Sequence, residues 1–242
     1  MVEFYSEIIV RIAVFLYSLW IGGLATTIYN RIPNNIPIGP TQRPRCNNCK
    51  QEIKFKYFFP VLGYFFSNGK CVHCGMKIPR IYLFLELSIL FYILVLSTIF
   101  NTFDEKFVST SLYGAFIITL IFIYKTRKQI KTRLIWMLIT FILAHRGYNY
   151  NLPDVTDLFI SGVASFLSFS ILKKYIPLSV QEFKVCVITV ASFNCIASFA
   201  FLIVVLFFKA IRSLSFKVKL PINNTVVVLT PLIIALVMTF FR

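Results

Sequence analysis

Residues 46–74 begin with Cys46-Asn47-Asn48-Cys49 and end with Cys71-Val72-His73-Cys74, two CxxC pairs with 21 residues between them. Each pair runs into residues suited to a tight turn, Lys50-Gln51 after the first and Gly75-Met76 after the second. Four thiolates at this spacing predict a structural zinc knuckle with Cys46, Cys49, Cys71 and Cys74 as its ligands. Two disulfides are the competing reading, and they require an oxidising compartment. The surrounding loop carries Arg31, Arg43, Arg45, Lys50, Lys54, Lys56, Lys70, Lys77 and Arg80 against Glu52 as its one acid. A loop that basic stays on the cytoplasmic side of a membrane, where thiols remain reduced. His73 is expected as a surface side chain, because four cysteines already complete a tetrahedral site. Cys186 and Cys195 lie in an apolar run without partners at metal spacing and are expected as small buried hydrophobes.

Outside this loop the chain is apolar. Over 242 residues, 58% are hydrophobic and 17% aromatic, and the mean hydropathy is +0.78, which excludes an ordinary soluble domain and predicts an integral membrane protein. The expected fold is all-α: a polytopic bundle of seven or eight transmembrane helices with one small cytoplasmic zinc-knuckle insertion. Residues 1–100 hold the first helix, the four-cysteine loop (31–80) and the second helix, and residues 101–242 form a membrane-embedded helical part. No internal repeat and no low-complexity segment is read.

In chain order, residues 8–29 form an apolar run of spanning length, and Gly22-Gly23 permits close approach of another helix. No small-residue cleavage site follows, so this run is expected to be a retained helix. A second run, about 81–100, carries Glu86, which either does functional or pairing work inside the membrane or simply reaches the interface or pairs with Arg80. Runs at about 108–124, 134–145, 157–172, 185–208 and 226–241 follow. Basic connections (Lys125 to Arg133; Lys173, Lys174 and Lys184; Lys209 to Lys219) alternate with segments holding Asp104, Glu105 and Lys106, and then Arg146, Asp154 and Asp157. This alternation places the N-terminus outside and the zinc loop in the cytoplasm. The net charge of +16 is therefore mostly a topology signal, and no nucleic-acid partner is expected. Both flanks of 185–208 call for the cytoplasm, so Ser192-Phe193-Asn194 is expected at the apex of a tight or re-entrant hairpin. His145 and Arg146 read as interfacial.

The order of these parts resembles the type IV prepilin peptidase family. Its first helix ends in a pattern like GSFLNVVIYRLP, and Gly22-Gly23-Leu24-Ala25-Thr26-Thr27-Ile28-Tyr29-Asn30-Arg31-Ile32-Pro33 looks like it. Its loop continues through CxxC, an aromatic segment, GxCxxC and an exit like RYPxxE. Here stand Cys46 to Cys49, Phe59-Pro60-Val61-Leu62-Gly63-Tyr64-Phe65, Gly69-Lys70-Cys71 to Cys74, and Arg80-Ile81-Tyr82 leading to Glu86. The resemblance implies an aspartic endopeptidase, a hydrolase of type IV pilus and protein-secretion systems in the bacterial inner membrane. Such enzymes remove the leader from prepilins or pseudopilins, and many then act as a methyltransferase toward the new N-terminus with S-adenosylmethionine. Prepilin N-terminal segments and membrane lipids are the implied partners.

In that family two aspartates do the cutting, one in a segment like DxxxxxIPN and one in GxGDxK. A carboxylate pair sharing one proton can hold a water and protonate the scissile amide. Matching Ile130 to the family isoleucine puts Tyr124 at the first aspartate, with Lys131 and Thr132 where Pro and Asn usually stand. Matching Lys184 to the family lysine puts Glu182 at the second aspartate, within Ser179-Val180-Gln181-Glu182-Phe183-Lys184. Tyrosine, with a reference pKa near 10, cannot replace an ionised aspartate near neutral pH. Asp104, Glu105, Asp154 and Asp157 are expected on the outer side, about 30 Å away. The dyad therefore reads as degraded, with Glu182 either catalytic beside an unrecognised partner or an interfacial acid pairing with Lys184 or Lys174. A non-proteolytic factor that binds pilin-like proteins is the alternative to a divergent peptidase.

Overall fold

The computed structural model describes residues 2–38, 43–100, 103–149, 155–173, 179–191, 202–203 and 224–239. Among these residues the regular structure is helical, and two isolated β-bridges, Arg45 with Glu52 and Lys70 with Lys77, are the extended pairings. The helices are α1 (Val2–Arg31), α2 (Phe55–Phe58), α3 (Leu62–Phe66), α4 (Arg80–Ile99), α5 (Glu105–Arg127), α6 (Thr132–Asn149), α7 (Val155–Lys173), α8 (Val180–Ala191) and α9 (Asn224–Met238). The chain forms two compact units, Met1–Phe122 and Ile123–Arg242. The sequence-based division at residue 100 follows chemistry, the polar insertion with its flanking helices, whereas the boundary of the compact units falls inside α5.

Among the described residues three helical segments are long and apolar enough to cross a membrane: Glu7–Arg31, Arg80–Ile99 and Glu105–Arg127. Thr132–Ala144 and Phe159–Ile171 are apolar but shorter. The chain is a membrane protein. α1 leaves Ile9, Ile12, Leu16 and Trp20 exposed, as lipid-facing positions require, since a lipid tail is as apolar as the side chain it meets. The hydroxyls in these helices find local acceptors: Ser18 donates to the Phe15 carbonyl, Thr27 to Gly23, Ser88 to Phe84 and Thr119 to Ala115. Each hydroxyl is thus satisfied within its own helix and needs no water. The expected apex Ser192-Phe193-Asn194, Cys195, and the side chains of His145 and Arg146 lie outside the described residues.

In the first unit α1 packs along α4. Leu85, Ile89, Ile93 and Leu96 recur on one buried face of α4, the i, i+4, i+8, i+11 spacing of a helix seam. The expected role of the glycine pair is met on two sides. A Cβ on Gly22 would lie 3.6–3.7 Å from Glu86 on α4, and a Cβ on Gly23 would lie 3.0 Å from Pro60 of the loop. Tyr17 and Ser111 share a hydrogen bond of 2.8 Å, and the Tyr92 hydroxyl donates to the Thr110 carbonyl at 3.1 Å, which ties α5 to α1 and α4. In the second unit α6, α7 and α9 each pack on α8.

Candidate functional site: a four-cysteine centre and a tyrosine–glutamate pair

The loop between α1 and α4 is built from one turn used twice. In the first knuckle Cys46 N–H donates to the Gln51 carbonyl at 2.9 Å, and Lys50 N–H donates to the Cys46 carbonyl at 3.0 Å. In the second, Cys71 N–H donates to Met76 at 2.8 Å, and Gly75 N–H donates to Cys71 at 2.8 Å. Lys50 and Gly75, the residues just after each second cysteine, have φ of 59° and 69°. Each knuckle is flanked by its bridge, Arg45 with Glu52 and Lys70 with Lys77, and then by Ile53 N–H to Pro44 and Ile78 N–H to Gly69. Residues 44–53 and 69–78 are therefore a ten-residue structural repeat, where none was read in the sequence.

Facing each other, the two knuckles bring all four Sγ atoms within 4.8 Å of one another. Cys46 and Cys74 are 3.9 Å apart, as are Cys49 and Cys71. A tetrahedron with zinc–sulfur bonds of about 2.3 Å has edges of about 3.8 Å, so the four sulfurs suit a zinc ion. They also stand too far apart for disulfide bonds of about 2.05 Å. The Met76 backbone N–H, followed by the Asn48 side chain, draws the Cys74 thiol down to about 6. The Cys49 N–H lowers Cys46. Cys49 itself moves up to about 11: the Gln51 N–H pulls it down, but desolvation and the neighbouring sulfurs of Cys74, Cys46 and Cys71 outweigh that donor. Thiolates are the metal-binding form, and a cation at the centre of this cluster is what removes the competition among them. His73 is exposed and outside the ligand set, and Cys186 is fully buried, both as expected.

The loop is moored to the membrane helices through Glu86. Its Oε2 accepts the Val61 N–H at 2.6 Å, so of the two readings of this acid the pairing one holds, with a backbone amide and not Arg80 as the partner. Val61 has φ 61° and ψ −57°, and Leu62 N–H closes a three-residue turn on the Pro60 carbonyl at 2.6 Å. This positive-φ γ-turn is rare and strained for a β-branched residue, and the carboxylate opposite it holds the turn's free amide. The tight approach here is at Gly23, whose added Cβ would lie 3.0 Å from Pro60, the residue before this turn.

In the second unit the two family motif stretches meet. The Tyr124 hydroxyl donates to Glu182 Oε1 at 2.5 Å, joining the two residues matched to the family aspartates across 58 positions. Tyr124 is 1% exposed and Glu182 8%. A second contact joins the same two stretches: Gln181 Nε2 donates to Thr132 Oγ1 at 3.3 Å. Lys128 Nζ sits 5.7 Å from the centre of the Tyr124 ring. The other oxygen of Glu182 accepts the Ser179 N–H at 2.8 Å, while Glu182 N–H faces Ser179 Oγ at 3.3 Å. Ser179 and Glu182 thus form the S-x-x-E capping box that starts α8. The expected pairing of Glu182 with Lys184 is not what forms: Lys184 is exposed, and the partners of the carboxylate are Tyr124 and Ser179. Lys174 lies outside the described residues. The capping box was readable in the sequence at Ser179-Val180-Gln181-Glu182; the tyrosine contact was not.

Comparison with known proteins agrees with this layout. Residues 16–100 match the bacterial peptidase A24 N-terminal domain. The chain is similar to the prepilin leader peptidase/N-methyltransferase of Vibrio cholerae serotype O1 (strain ATCC 39315 / El Tor Inaba N16961), with 29% identity over 161 residues, covering 62% of this chain and 61% of that protein. The chain thus spans less than two thirds of that relative's length. No solved structure matches. The matched residues take in the latter part of α1, the cysteine loop and α4, and over that part the chain is similar to the type IV prepilin peptidase family.

Proposed function

We propose that this protein is a prepilin peptidase-like component of a type IV pilus or type II secretion-like system that engages the N-terminal segments of prepilins or pseudopilins without cutting them by the two-aspartate route. It sits in the bacterial inner membrane, with the zinc module on the cytoplasmic side and zinc in a structural role. The observation that carries this reading is the hydrogen bond between Tyr124 and Glu182. Aspartic chemistry needs two carboxylates that share a proton and hold a water between them. Here one position supplies a phenol that stays protonated near neutral pH. The other supplies a carboxylate whose two oxygens are taken by the phenol and by the Ser179 N–H. The pair is complete as it stands, and a water has no second carboxylate to bridge to.

Methyl transfer lies outside the proposed activity. The cavity beneath the zinc module is lined by Arg31, Arg43, Arg45, Lys50, Lys70 and Lys77, with Glu86 as its one acid. Such a wall repels cationic groups and attracts anionic ones. The test is to co-purify the full chain with a matched prepilin in membranes. The expected product is a complex in which the prepilin keeps its leader; release of the leader by the wild-type protein overturns the reading.

A further inference from the structure

The same cavity fits a ligand of the opposite sign. Its volume is about 670 Å³, and it lies between the zinc knuckles, the last turns of α1 at Thr26, Asn30 and Arg31, and the first turns of α4 at Tyr82 and Glu86. Those turns are the loop-side ends of two helices long and apolar enough to cross a membrane, so the cavity stands at the level of lipid headgroups.

The two knuckles differ in one respect that points to an anion. Across the bridge of the first, Arg45 faces Glu52, and the guanidinium and carboxylate meet at 3.2 Å. Across the equivalent bridge of the second, Lys70 faces Lys77. Like charges directly opposite each other are destabilising. Among the described residues no acid lies within ion-pair distance of either lysine, the ion pairs being those of Arg43 and Arg45 with Glu52. Both lysines line the cavity. The repeat thus carries a balanced pair on one knuckle and an unbalanced pair on the other, and the unbalanced pair borders the space.

We propose that this cavity binds a phosphate-bearing anion between Lys70 and Lys77, with the headgroup of an anionic phospholipid as the favoured source because the site opens at the ends of α1 and α4. The ligand neutralises the lysine pair and holds the zinc module against the membrane surface. This inference is independent of the reading of Tyr124 and Glu182.

The test uses the full chain in nanodiscs of phosphatidylcholine containing phosphatidylglycerol, with retained lipid quantified by mass spectrometry after detergent exchange. A parallel titration of the delipidated protein with inorganic phosphate tests the soluble source. The variants are Lys70→Gln with Lys77→Gln, and Lys77→Glu, which recreates on the second knuckle the charge pairing of the first and so preserves the fold. Zinc content near one per chain checks that each variant is folded. Retention of phosphatidylglycerol should drop about fivefold per unit of positive charge removed, hence by a similar amount in the double variant and in Lys77→Glu, and weaken with added salt. Phosphate uptake without phosphatidylglycerol retention, lost in the same variants, supports the anion site and assigns it a soluble ligand. Equal retention by wild type and both variants, with no phosphate uptake, overturns the proposal.

Discussion

The cysteine cluster and the Tyr124–Glu182 pair both gather residues far apart in the chain, and they differ in what they leave unsatisfied. The four sulfurs converge within 4.8 Å as four soft acceptors of the same kind, an arrangement that nothing but a cation completes. Tyr124 and Glu182 are a donor and an acceptor, and Ser179 takes the remaining carboxylate oxygen. One site has the form of a binding centre and the other the form of a finished contact. The knuckles carry their own local backbone hydrogen bonds, and none of these involves Tyr124 or Glu182.

The largest expected effect breaks the first half of that contrast. Cys71→Ser removes one of four ligands, and zinc should fall from about one per chain to near zero, with faster proteolysis between residues 43 and 79, as read by metal analysis and limited digestion. If zinc binding survives, the cluster is not the metal site. Next comes Tyr124→Phe, which leaves the Glu182 carboxylate buried without its donor and should cost about 1–3 kcal/mol, measured as a lowered unfolding midpoint in detergent. An unchanged midpoint would show that the 2.5 Å contact contributes nothing to the fold. Ser179→Ala removes half of the capping box and should cost about 1 kcal/mol. Smallest of all, Glu52→Gln removes an exposed ion pair with Arg43 and Arg45 and should change stability by less than about 0.5 kcal/mol, leaving zinc content untouched.

How much of this was legible beforehand follows from the range of each interaction. The zinc ligands are a short-range pattern, so spacing alone picked out Cys46, Cys49, Cys71 and Cys74. The ten-residue repeat around them was missed because residues 44–53 and 69–78 share their two cysteines and the final isoleucine but otherwise differ; the likeness is in backbone hydrogen bonds. Glu86 was flagged as an acid in an apolar run, but its partner is a backbone amide in a strained turn at Val61, which no side-chain pairing rule anticipates. Tyr124 and Glu182 were singled out only through the family motifs, and their contact spans 58 positions. The capping of Glu182 by Ser179 is a local S-x-x-E pattern legible in the sequence, whereas the pairing with Lys184 that a basic segment suggests does not form. Of the helices, the runs at 8–29, 81–100 and 108–124 became α1, α4 and α5 with ends shifted by a few residues, as apolar length fixes a span better than it fixes a terminus.

The most direct test of the account is cleavage of a matched prepilin by the purified protein, comparing wild type, Glu182→Gln and Tyr124→Asp. The account predicts no leader release by wild type or Glu182→Gln, and the appearance of cleavage in Tyr124→Asp, where the phenol is removed and a second carboxylate faces Glu182. Cleavage by wild type that disappears in Glu182→Gln would contradict it, and would mean that Glu182 works with an acid other than the residue at position 124.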